Sequence, residues 1–225
     1  MSLKDRLKLG LFFLCALAVF FLLQAGYGAL STLSRLELVE AQRDQWQQPA
    51  AVLNELQLDS RSIVADIGCG SGYFTVRISP QVSSGKVLAE DIRRLPLVFL
   101  WIRAFQKGRR NITVVLGTPD DPHLPEVRVD AVLIANTYHE FTSSGPVLKR
   151  VLRSLAPGGR LVIVDRWPRV AQTDSAQAET EHEIAPDRVA NDLRDSGFEI
   201  IKRRDDFIPS DPGQEKWWLI VAGKA

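Results

Sequence analysis

The residues richest in possible chemistry run V-A-D-I-G-C-G-S-G-Y-F from Val64 to Phe74. Gly68, Gly70 and Gly72 recur at every second position, where an apolar strand gives way to a helix. Glycines at such a turn let the backbone fold back sharply and let a ligand reach main-chain atoms without meeting a Cβ. Their spacing separates two ligand classes. Pyrophosphate-binding dinucleotide loops favour G-x-G-x-x-G, and here Tyr73 stands where the third glycine belongs, which argues against a nicotinamide-dependent oxidoreductase. Asp66 precedes the first glycine by two, and Glu90–Asp91 closes a second strand candidate. An acid at about that remove suits the two hydroxyls of a ribose. Adjacent strand residues point to opposite faces, so one of the two acids faces the ribose and the other, Glu90, is expected in solvent.

These residues need a scaffold. β-rich segments at Ser62–Ile67, Lys86–Ile92, Ile112–Leu116, Val129–Ala135 and Arg160–Asp165 are separated by helical ones at Tyr73–Ile78, Leu95–Lys107 and Gly145–Leu155. A further helix, Pro186–Ser196, precedes strands at Glu199–Arg203 and Trp217–Ala222. Apolar runs such as A-V-L-I-A and L-V-I-V predict a parallel sheet covered on both faces. The last two strands lack a helix between them and are predicted to pair antiparallel at one edge.

The motifs resemble those of class I S-adenosylmethionine (SAM)-dependent methyltransferases, over roughly Trp46 to Val221. D-I-G-C-G-S-G is similar to that family's first motif and G-K-V-L-A-E-D-I to its second. N-I-T-V-V-L-G-T-P-D-D-P-H-L-P and V-D-A-V-L-I-A-N-T-Y-H-E-F look like the adenine-side and fourth-strand motifs, and L-A-P-G-G-R-L-V-I-V-D like the fifth-strand signature. Within the family the chain looks closest to small-molecule enzymes of the ubiquinone/menaquinone type. The resemblance implies a Rossmann-like α/β fold with a mostly parallel seven-stranded sheet, an antiparallel edge and helices on both faces. It implies SAM as cofactor, with Asp66 and the Gly68–Gly72 backbone on its methionine part and Asp91 on the ribose. Asn136 would border the sulfonium, and Asp120 or Asp121 would lie near the adenine. The family's usual acid directly after the adenine-motif glycine is Thr118 here.

On the acceptor side, Tyr138-His139-Glu140 follows the fourth strand. His139 is a candidate base because imidazole titrates near neutrality; a structural histidine at a helix start is the alternative. Tyr138 and His182 are candidate acceptor contacts. The histidines are scattered and neither cysteine has a second nearby, so no metal site is expected. A catalytically inactive SAM-binding module is the alternative to a methyltransferase acting on a small, lipophilic acceptor.

Charge is nearly balanced, with 28 basic and 27 acidic residues among 225, which gives no sign of a nucleic-acid partner. The balance conceals a basic, greasy start. Residues 1–30 carry Lys4, Arg6 and Lys8 against Asp5, and Leu9–Leu30 contains no charged side chain. As a helix that stretch measures about 33 Å, the thickness of a bilayer's hydrocarbon core. It predicts a membrane segment over residues 1–30, either an uncleaved single-pass or monotopic anchor or a signal peptide cleaved on secretion. A hairpin bent around Gln24–Gly28 is a further form the anchor can take. Residues 31–60 are predicted to be an amphipathic helical lead-in punctuated by Pro49, with the SAM-binding domain over 61–225.

Overall fold

Strands that are apolar on both faces must be covered from both sides, and this requirement organises the larger part of the chain. The computed structural model describes residues 3–126, 128–168, 184–208 and 216–224. Two compact units divide at Gln45 and Trp46. In the first, α1 begins at Leu3 and runs unbroken to Gln47. Phe12, Phe13, Leu14, Leu17, Phe20 and Phe21 are all exposed along it. The helix passes straight through Gln24–Gly28, so the hairpin allowed there by the sequence does not form. Hydroxyls of Ser31 and Thr32 donate to the Gly28 carbonyl, each at 2.9 Å. The helix is long and apolar enough to cross a membrane, a test that a signal sequence also meets.

The second unit contains α2 (Pro49–Glu55) and then alternates: β1 (Ile63–Ile67), α3 (Thr75–Ile78), β2 (Lys86–Asp91), α4 (Arg94–Gln106), β3 (Ile112–Leu116) and β4 (Val129–Ala135). After a short 3-10 turn at Tyr138–Glu140 come α5 (Ser144–Ser154), β5 (Leu155–Arg166), α6 (Pro186–Asp195), β6 (Phe198–Ile208) and β7 (Trp217–Lys224). One seven-stranded sheet results, in the order β3-β2-β1-β4-β5-β7-β6. The first five strands are parallel, and β7 pairs antiparallel with both β5 and β6. This is the expected Rossmann-like architecture.

Alternation along each strand feeds two cores. Ala65, Val132, Ile134, Trp218 and Ile220 pack on one face; Val64, Leu133, Ala135, Trp217 and Leu219 pack on the other. Two strands are longer than their apolar cores suggest. β5 starts at Leu155 because Leu155 pairs with Val129 ahead of a register shift, and β6 reaches Ile208 by pairing with Trp217. Hydrogen-bonded partners extend strands that side-chain patterns alone leave short.

Trp218 is fully buried, and its indole N–H donates to the Ile184 carbonyl at 2.8 Å, tying α6's approach to β7. Trp218→Phe removes this donor and leaves a small void. It should destabilise the fold by about 1–3 kcal/mol, measured by urea denaturation followed by circular dichroism.

Candidate functional site

The glycine loop is built between two carboxylates. Asp66, at the end of β1 and buried, accepts a hydrogen bond from the Thr75 hydroxyl at 2.5 Å, joining the strand to the first residue of α3. Across the turn between them, Gly68, Gly70 and Gly72 take φ values of 66°, 54° and 89°. A Cβ at Gly68 would collide with the Thr137 side chain, whereas a Cβ at Gly70 would meet nothing within 4 Å. Gly68 is therefore needed for packing, and Gly70 presents an open face. The Gly70 amide donates to Asp91 Oδ2 at 2.9 Å, while Asp91 Oδ1 accepts from the Arg93 amide at 2.8 Å. Behind the loop, Gly72 N–H closes the turn onto the Cys69 carbonyl at 2.9 Å, and the buried Arg103 donates to the Ser71 carbonyl at 2.5 Å.

Beside the loop opens a cleft of about 740 Å³, counted out to bulk solvent. Ile67, Asp91, Thr118 and Thr137 line it from the ends of β1, β2, β3 and β4. In open α/β sheets this is where ligands bind.

Glu90 departs from its expected place in solvent. It is 3% exposed and lines the same cleft as Asp91. The room comes from Gly117, where any Cβ would collide with the Glu90 carboxyl group, and Gly68 N–H donates to its Oε2 at 3.4 Å. Burial pushes the Glu90 carboxyl up to about 8; the Gly68 N–H opposes the shift, and the charges of Asp91 and Asp66 add to it.

The adenine-side acids also differ from expectation. Asp120 is exposed, and neither it nor Asp121 lines the cleft, which is bordered instead by Thr118, Pro119 and Pro122. Asp121 is committed to the loop: it accepts from the His123 amide at 2.9 Å and pairs with Arg150 at 3.1 Å. Tyr138, a candidate acceptor contact, is 1% exposed, packs in the core and donates its hydroxyl to Asp192 at 2.9 Å. Burial raises its pKa, so it serves the fold rather than the rim of the cleft. His182 lies outside the described residues. Cys69 is buried, and burial raises its thiol far above the range of a nucleophile.

At the end of β4, Asn136 adopts a left-handed φ of 55°, and its Oδ1 is buried with no hydrogen-bond partner. His139 follows in the 3-10 turn. Its Nδ1 lies 2.9 Å from Asp165 Oδ1 and its backbone N–H donates to Oδ2 of the same carboxylate, which is wholly buried. Nε2 lies 3.9 Å from Glu140 Oε1, and Glu140 lines the cleft. Asp165 went unassigned on the sequence, although a signal was available. β4 and β5 are parallel neighbours with Ala135 beside Val164, so Asp165, near the end of β5, lies level with the turn that follows β4.

Residues 64–159 match the family described as a methyltransferase domain. That match runs from β1 into β5, across the glycine loop and the end of β4. Its fold resembles a SAM-dependent methyltransferase from Aquifex aeolicus, with a TM-score of 0.66 and 23% identity over 77% of this chain and 88% of that one. Among curated proteins, this chain is 31% identical over 144 residues to a protein-L-isoaspartate O-methyltransferase of Methanococcus maripaludis, covering 62% of this chain and 58% of that protein. It is 32% identical over 104 residues to the ubiquinone/menaquinone biosynthesis C-methyltransferase UbiE of Azotobacter vinelandii, covering 45% and 41%. The chain thus spans about half the length of these relatives.

The acid at Glu90 gives the site a pH signature. The folded chain keeps this proton to about pH 8, while an unfolded glutamate releases it near 4.5. The stability this group contributes is thus full below about pH 4.5 and is lost as pH rises to about 8. Glu90→Gln should remove that decline. Thermal unfolding across the window should favour the variant progressively, by a few kcal/mol in all; parallel curves would show that Glu90 is not held neutral.

Proposed function

We infer that this chain transfers a methyl group from SAM to a small, lipophilic acceptor at a membrane. The observation that carries the reading is the open main-chain face at Gly70, held beside a cleft by the carboxylate of Asp91. The residues present fit the cofactor. Asp91, already in the cleft, has the chemistry to accept from ribose hydroxyls, and Glu90 supplies a second acid on the adenine side, where Asp121 is bonded to its own loop and Asp120 is exposed outside the cleft lining. Asp66 and the Gly68–Gly72 backbone would hold the methionine part, and the buried Asn136 Oδ1 is suited to a cationic or N–H group there. When bound, SAM supplies an electrophilic methyl group and a neutral leaving thioether.

Because that leaving group needs no proton, the protein's share is alignment, exclusion of water and, for a protic acceptor, removal of a proton. His139 is the group for the last task. Asp165 takes a hydrogen bond from Nδ1 and so directs the basic lone pair to Nε2, on the side of Glu140 and the cleft. The curated relatives differ by name in both acceptor and methylated atom, so they leave the acceptor of this chain open. Its lipophilic character rests on α1, read as an uncleaved membrane anchor.

Calorimetric titration with SAM tests the cofactor reading. Asp91→Ala should weaken binding by about 1–3 kcal/mol, and Gly70→Val should abolish it while keeping the circular dichroism of the wild type. Formation of S-adenosylhomocysteine with a panel of quinol, phenol and amine acceptors tests transfer. Binding without product on any of them would leave a cofactor-binding module in place of an enzyme.

His139→Gln should lower kcat by about 100-fold or more with a protic acceptor, leaving SAM affinity unchanged. Asp165→Asn should lower kcat in the same direction and move the acidic limb of the rate–pH profile. A profile identical to wild type would reduce Asp165 to a packing role.

A further inference from the structure

The crossover helix α4 carries apolar side chains on two sides. Leu97, Leu100 and Ala104 point inward, packing with Cys69, Val76 and Ala89. The outward side has Leu95 at 66% exposure, Val98 at 52%, Trp101 at 59% and Phe105 at 78%. Steps of three, three and four residues align these four in one stripe. Trp101 and Phe105 stack with ring centroids 6.2 Å apart, so the stripe presents a continuous apolar ridge. Solvent exposure of four large apolar residues in a row is costly, and a soluble surface rarely carries it without an occupant.

The charges around the ridge identify the occupant. From Ile92 to Pro119 the chain has six cationic residues (Arg93, Arg94, Arg103, Lys107, Arg109, Arg110) and no acid. At the start of the helix Arg94 lies exposed beside Arg93, whose guanidinium pairs with Asp91 at 3.3 Å; Lys107 and Arg110 lie exposed just past its end, while Arg103 is buried behind the glycine loop. An apolar ridge bracketed by cations matches the two layers of an anionic leaflet, acyl chains beneath and phosphates around. A second copy of the chain offers a poorer match, because a two-fold contact would set cations against cations.

We propose that the outward side of α4 docks on an anionic phospholipid bilayer. The proposal deepens the reading of a lipophilic acceptor and rests on it. Ile92 and Arg93, which lead into α4, also line the cleft. Docking therefore brings the mouth of the site to the lipid surface, where an acceptor dissolved in the bilayer enters without crossing water.

The test uses the full chain reconstituted in phosphatidylcholine vesicles, with or without phosphatidylglycerol, whose acyl chains carry bromine to quench tryptophan on contact. With phosphatidylglycerol present, wild-type fluorescence should be quenched, and Trp101→Phe should lose the part of the quenching that the anionic lipid adds. The double variant Leu95→Glu, Phe105→Glu should lose the same part while binding SAM as the wild type does. Three results would overturn the proposal. They are equal quenching in wild type and Trp101→Phe, equal quenching with and without the anionic lipid, or a dimer that the double variant splits, which would assign the ridge to a second copy. Carbonate extraction reads insertion of α1 separately, so failure of the anchor is distinguishable from failure of the ridge.

Discussion

The hydrogen bond from the Gly70 amide to Asp91 Oδ2, at 2.9 Å, carries the geometry of the whole cleft. It fastens the turn after β1 to the end of β2 and holds a bare stretch of main chain alongside the opening. The same carboxylate fixes Arg93 through its other oxygen, so the entry to α4 is set by the group that shapes the loop. A single side chain therefore links the wall of the cleft, the loop conformation and the direction of the following helix. Charge-assisted bonds to backbone amides are strong in a buried setting, and this one is shielded on every side but the cleft.

Electrostatics of the cleft follow from the same crowding. Asp66, Glu90 and Asp91 are all nearly inaccessible to water, and the region has room for the Glu90 carboxyl because Gly117 lacks a side chain. Burial pushes the Glu90 carboxyl up to about 8, and the charges of Asp91 and Asp66 act in the same direction. A cationic ligand suits such a place better than a neutral one. His139, which is buried and does not itself line the cleft, has a quite different setting, with its imidazole held by the buried Asp165 beside a partly exposed glutamate that does line it.

Much of this was legible in the sequence, and the reasons are specific. The glycine spacing after an apolar strand gave the loop, and alternating β and helical segments gave the sheet and its antiparallel edge, because backbone constraints and burial act through local pattern. What escaped notice depended on packing between distant segments. Glu90 reads as a solvent residue by strand alternation until the empty space at Gly117 is known. Asp120 and Asp121 read as ligand groups until Arg150, on another helix, claims one of them. Tyr138 follows a strand end like any rim residue, and only its partner Asp192 shows that it points into the core.

The position of β7 has a consequence for synthesis. It comes last in chain order, yet it lies between β5 and β6. Until Lys224 clears the ribosome, β5 offers an unpaired apolar edge and β6 has no neighbour at all, so the nascent body cannot close. During that interval the greasy leading helix is already available to a bilayer or a chaperone. Closure of the sheet thus waits on its last-made strand, and the half-finished body is most open to misassembly until then.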